Sequence, residues 1–128
     1  TDNIRVTSRI SSHLPPIMAD YHQIEQILVN LMQNACDALS RSDGDKEIKI
    51  DIRHRITSVY VTVADNGPGI SAAEREGLFE PFVSGKSTGM GLGLAVSRAI
   101  AEAHGGSLQS PVVKHGEFHL ILPCVQSN

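Results

Sequence analysis

The chain has 128 residues, 41% of them apolar, and a formal net charge of −3. That length holds one domain around a single two-layer core. The acidic balance argues against a nucleic-acid footprint, and any anionic ligand must be met by local groups rather than by a general positive field. No apolar run approaches the roughly 18 residues of a membrane span and no signal-peptide pattern is present, so the chain reads as cytoplasmic, with no membrane contact of its own.

In chain order, residues 4–10 (IRVTSRI) alternate like a strand and residues 20–40 read as one long helix. Residues 46–65 hold two alternating runs that form a hairpin, and residues 71–79 a short helix. A longer helix runs from Leu92 to His104 and is stopped by Gly105 and Gly106, and residues 107–123 close the chain with a second hairpin. Each helix has one apolar stripe to bury. The expected fold class is therefore α+β, an antiparallel or mixed sheet with the helices on a single face. Cys36 and Cys124 lack a C-x-x-C spacing and sit among apolar neighbours, which predicts two reduced packing residues. The six histidines have no metal-ligand spacing and read as ordinary surface or strand residues.

On the first helix, Ile24, Ile27, Leu28, Leu31, Ala35, Ala38 and Leu39 gather into a core-facing stripe at about 100° per residue. Asn30 and Asn34 stack at its edge, with Asp37 one turn further along. Asparagine is a poor mid-helix residue. An amide pair can supply neutral oxygens to Mg²⁺ and donate to phosphate, although a solvated helix edge would look the same.

The second hairpin strand puts Val59, Val61 and Val63 on one face, and Asp65 continues that face into the turn Asp65-Asn66-Gly67-Pro68-Gly69-Ile70. If the valines face the core, Asp65 enters a pocket at its rim. A carboxylate there is costly unless paired with a donor, either a ligand amine or, as an Asx-turn, the loop's own backbone.

Between Lys86 and Gly106 the chain packs Gly89, Gly91 and Gly93 into five positions and runs into a helix. Alternating glycines and a helix N-terminus suit an anion such as phosphate, while a flexible loop feeding a buried helix has the same pattern. The GKS at Gly85, Lys86 and Ser87 is not a P-loop, because Glu80 stands where the leading glycine is required and glycine rather than helix follows. The spacing G-x-G-x-G, with no strand before it, also departs from the dinucleotide fingerprint.

Taken in order, NLMQNACDAL (30–39), DNGPGI (65–70), LFEPF (78–82) and GMGLGL (89–94) resemble the N box, first glycine box, F box and second glycine box of the ATP-binding domain of sensor histidine kinases. That superfamily is shared with gyrase B, the heat-shock chaperone and mismatch-repair ATPases. The match runs from about Asp20 to Pro123. It implies a Bergerat-type two-layer α/β sandwich with about five strands in a mixed sheet and three helices on one face. It also implies a nucleotide site. Asp65 accepts a hydrogen bond from the adenine amino group, Gly67 and Gly69 let the loop close over the base, and Asn30 and Asn34 hold Mg²⁺ and the phosphates. Lys86 is expected either to contact the γ-phosphate, joining Asn30 and Asn34 as the catalytic set, or to be a solvated lysine of the lid. The implied ATP contacts are Asn34, Asp37, Asp65, Gly67, Gly69, Ile70, Phe82, Lys86, Ser87, Thr88, Gly89, Met90, Gly91, Leu92, Gly93 and Leu94. Phe79 and Phe82 anchor the hinges of a lid over the nucleotide, or plug the core.

Many family members carry a lysine and an aromatic residue where this chain has Asp37 and Ala38. The short lid and the NACDAL pattern resemble the nitrogen-, dicarboxylate- and oxygen-responsive subgroup. None of the six histidines has the His-acidic-aliphatic context of the family's phosphoacceptor. Residues 1–128 are thus expected to be a single catalytic domain, monomeric in isolation, cut from a longer sensor that can itself be membrane-anchored. Its implied partners are ATP, the phosphoacceptor and dimerisation domain of the parent, and the receiver domain of a response regulator. A gyrase-type ATPase is the alternative enzyme, disfavoured because a glutamate base stands there where this chain has Asn30. A non-catalytic nucleotide-sensing module is the alternative outside enzymes.

Overall fold

The computed structural model describes residues 3–80 and 90–125, and for residues 90–92 the backbone alone. Of the residues named above, Phe82, Gly85, Lys86, Ser87, Thr88 and Gly89 lie outside the described ones.

The elements are β1 (Ile4–Ile10), α1 (Tyr21–Leu39), β2 (Lys46–Arg55), β3 (Ser58–Asp65), α2 (Ala72–Glu76), α3 (Met90–Ala103), β4 (Ser107–Gln109) and β5 (Glu117–Pro123). The five strands form one mixed sheet in the order β1-β2-β3-β5-β4, with β1 parallel to β2 and the other neighbours antiparallel. The expected α+β sandwich of five strands and three helices is the fold observed.

Strand alternation decides which face is core. Val59, Val61, Val63 and Asp65 are buried along β3, and Phe118, Leu120 and Leu122 along the antiparallel β5. Ile27, Leu31, Ala35 and Leu39 of α1 and Leu94, Ile100 and Ala101 of α3 cover that face. The α1 stripe agrees with its sequence pattern, and Ile24, Leu28 and Ala38 form its half-buried margin. Residues after α2 reach the same core, where Phe79 meets Phe118 edge-on at 6.3 Å and takes the Arg98 guanidinium over its face at 5.1 Å.

Local chemistry sets the helix boundaries. The Asp20 carboxylate accepts the Gln23 N–H at 3.1 Å and starts α1. Ser71 and Glu74 form a reciprocal capping box that starts α2. The helix predicted from Leu92 begins two residues earlier, at Met90, so Gly91 and Gly93 lie in its first turn, where backbone N–H groups have no intrahelical partner. In the closing hairpin β4 is only three residues long, and Pro111 in the connection has no N–H to offer a ladder.

Two expectations need correction. Cys36 is exposed rather than packed, because it lies about 100° round α1 from buried Ala35. The histidines are not uniformly ordinary. His104 receives the Asp20 N–H on Nε2 at 3.1 Å and donates from Nδ1 to the Ile100 carbonyl at 2.8 Å. His115 and His119 each hold one oxygen of Glu117, at 2.7 and 2.6 Å.

Candidate functional site

Asp65 ends β3 on the core-facing side and is 8% exposed. Its N–H donates to the Gly116 carbonyl at 2.9 Å, extending the β3–β5 ladder by one residue. Its Oδ1 accepts the Gly67 N–H at 2.8 Å, so the Asx-turn forms. Turn formation does not exhaust the carboxylate, because Oδ2 has no donor among the described residues. Asn66 fastens the same turn to β2, accepting the Glu47 N–H at 2.8 Å and donating to the Asp45 carbonyl at 3.0 Å.

Two glycines leave the room that this arrangement needs. A Cβ on Gly116 would collide with the Asp65 carboxylate. Gly69 has φ +86°, and a Cβ there would stand 2.7 Å from the Lys114 carbonyl oxygen. Residues 114–116 therefore back both the carboxylate and the glycine loop.

In front of Asp65 lies an open, mostly apolar pocket at the rim of the core. Leu31, Ala35, Val63, Ile70, Leu94 and Phe118 supply apolar walls, with Asp65 and Asn34 among its few polar groups. An apolar slot with one buried carboxylate suits a flat heteroaromatic ring that carries an amino donor.

Among the residues singled out from sequence, Asn34, Asp65, Gly69, Ile70 and Leu94 line this cavity together. Gly67 sits against the Asp65 carboxylate. Asn30 is turned toward α3, where its amide nitrogen donates to the Gly93 carbonyl at 3.3 Å and to Ser97 Oγ at 3.0 Å. Asp37 is half-buried and is not on the cavity wall, and its carbonyl accepts the Ser40 hydroxyl at 2.6 Å. Met90, Gly91 and Leu92 form the first turn of α3. Sequence reasoning missed Gly116, Phe118, Leu78, Ala38, Arg41 and Glu74 as cavity residues. Ala38 had been read only as core and as a departure from the family. For Gly116 the available signal was its place just before the alternating run of β5, although the strand register is needed to set it beside Asp65.

On the outer face of β5, burial tends to raise the pKa of Glu117. The hydrogen bonds and charges of His119 and His115 outweigh that tendency and hold the carboxyl below its ordinary value.

A five-stranded sheet under two long helices, with a buried carboxylate ending a central strand at the rim of an apolar pocket, defines a two-layer α/β sandwich with a ligand pocket. Residues 19–126 match the family described as histidine kinase-, DNA gyrase B-, and HSP90-like ATPase, and the chain belongs to that family. It is 31% identical to the catalytic domain of the histidine kinase ThkA in a nucleotide-free structure, with a TM-score of 0.81 over 94% of this chain and 80% of that one. Full-length ShkA in complex with AMPPNP is also 31% identical, with a TM-score of 0.77 over 97% of this chain and 26% of that one. Among curated proteins, the C4-dicarboxylate transport sensor protein DctS of Rhodobacter capsulatus is 41% identical over 107 residues, 82% of this chain and 16% of that protein. The sensory histidine kinase/phosphatase NtrB of Klebsiella oxytoca is 33% identical over 132 residues, 95% of this chain and 38% of that protein. The chain thus spans well under half the length of these curated relatives. No helix among the described residues is long and apolar enough to cross a membrane.

Proposed function

We propose that this domain binds Mg²⁺–ATP in the cavity before Asp65 and delivers the γ-phosphoryl group to a histidine on a separate phosphoacceptor and dimerisation domain, in the cytoplasm. A response regulator receiver domain then takes the group from that histidine. The observation that carries this reading is the Asp65 carboxylate, buried at the end of β3, with one oxygen tied to Gly67 and the other without a donor among the described residues. An adenine amino group satisfies that oxygen, and the apolar walls hold the ring.

The amides of Asn34 and Asn30 are neutral oxygen donors, and no cluster of three or more His, Cys, Asp or Glu suited to a metal occurs among the described residues. Such a donor set fits Mg²⁺, which keeps several waters and binds through few protein oxygens plus substrate phosphates. Mg²⁺ held there would neutralise phosphate charge. The chain's own contribution is positioning, through Asp65 on the base, the N–H groups at the start of α3 on the phosphates, and Lys86 at the γ-phosphate. The incoming histidine nitrogen forms the new P–N bond as the bond to ADP breaks.

The test is incubation with γ-labelled ATP, with and without the phosphoacceptor domain of the parent, following protein label and free phosphate. Label should appear on that domain's histidine and should fall about ten- to hundredfold in Asp65→Asn at sub-saturating ATP, the cost of about 1.5 to 3 kcal/mol for a charge-assisted hydrogen bond. Rapid phosphate release by the chain alone would favour an ATPase, and tight binding without transfer a sensing module.

A further inference from the structure

Among the described residues the buried polar or charged side chains are Asn34, Asp65 and Ser97. The first two line the cavity. Ser97, on α3, is fully buried, does not line it, and has no part in the function proposed above.

Its hydroxyl oxygen lies 3.0 Å from Asn30 Nδ2, across the interface of α1 and α3, and the Gly93 carbonyl oxygen lies 3.3 Å from the same nitrogen. A carbonyl oxygen can only accept, so the amide atom facing Gly93 is the NH₂ and not the oxygen. An amide nitrogen has two hydrogens, and Gly93 and Ser97 take one each. The amide orientation is then fixed, both donors are spent, and Oδ1 receives no donor from the described residues. Ser97 provides the shorter of the two bonds.

We propose that Ser97 is a positioning residue for Asn30. By taking one amide hydrogen it holds Oδ1 of Asn30 outward as an acceptor for the divalent cation that accompanies the nucleotide. The inference rests on the Mg²⁺–ATP reading and adds to it a residue outside the contacting set. A partner that orients a metal-binding side chain sets metal affinity rather than base affinity, with typical losses of about ten- to hundredfold on removal. A merely structural serine would change unfolding and leave the metal alone.

The experiment compares wild type, Ser97→Ala, Asn30→Ala and the double variant. Mn²⁺ affinity of the ATP-saturated domain is read by electron paramagnetic resonance, ATP affinity in excess EDTA by calorimetry, and folding by circular dichroism. Ser97→Ala is expected to weaken Mn²⁺ about tenfold while metal-free ATP affinity stays within about twofold. In the Asn30→Ala background, the Ser97 substitution should add nothing further. Wild-type Mn²⁺ affinity in folded Ser97→Ala would overturn the proposal, as would full additivity in the double variant. Wild-type ATP affinity that is indifferent to Mg²⁺ would instead overturn the reading on which the proposal rests.

Discussion

The carboxylate of Asp65 occupies the space where a side chain of residue 116 would begin, while the Asp65 N–H and the Gly116 carbonyl are joined at 2.9 Å. The backbone pair fixes the two residues at one rung of the β3–β5 ladder, and the missing Cβ lets the carboxylate fold over its neighbour. Neither partner can shift without breaking the ladder or the Asx-turn to Gly67.

Gly116→Ala therefore has a directed effect. The methyl group must displace the Asp65 carboxylate, because the colliding partner is a short side chain held at Oδ1 by Gly67. ATP affinity is expected to fall about tenfold or more, the loss of one charge-assisted hydrogen bond. Calorimetric titration checks this, with far-UV circular dichroism to establish that the sheet persists. Unchanged affinity would mean that the carboxylate over Gly116 is not the base-recognising group.

A second expectation concerns acid. Glu117 has a folded pKa below its unfolded value of about 4.3, because the attraction of His119 and His115 exceeds the opposing effect of burial. A depressed carboxylate pKa adds stability that is whole above the unfolded pKa and is lost as pH falls through the folded one. Glu117→Gln removes this dependence. Urea midpoints should fall less steeply in the variant than in wild type as the pH drops below about 4.3, and parallel curves would assign the acid sensitivity elsewhere.

Much of this arrangement was legible in the sequence, and the exceptions share a cause. The alternation of β3 told which way Asp65 points, since one strand's periodicity suffices for that. The two-asparagine edge of α1 was also visible, but α1 alone could not tell an edge facing solvent from one facing α3, so the bonds from Asn30 to Gly93 and Ser97 were not. Gly116 was missed because its partner is 51 positions away, by subtraction of 65 from 116, and pairing register is a non-local property. Cys36 was misjudged by reading apolar neighbours along the chain instead of around the helix. His104 carried a signal, its place just before two glycines at a helix end, but not the identity of the helix it would reach.

That last contact yields a test of stability separate from the site. The Ile100 carbonyl can only accept, so His104 Nδ1 carries the proton and Nε2 is the lone pair that receives the Asp20 N–H. One imidazole thus ties the last turn of α3 to the N-cap of α1, where Asp20 also holds the Gln23 N–H. Both bonds have exposed or half-buried surroundings, which keeps their net worth modest. His104→Ala is expected to cost about 1 to 2 kcal/mol in urea unfolding, in the range of a lost cap or hydrogen bond. The Asp20 amide should exchange its hydrogen faster than in wild type. Asn34 lies about 21 Å further along α1 at 1.5 Å per residue, so ATP affinity should stay within about twofold. A variant as stable as wild type, with the Asp20 amide still protected, would show that the His104 bridge adds nothing to the other contacts that hold α1 against α3.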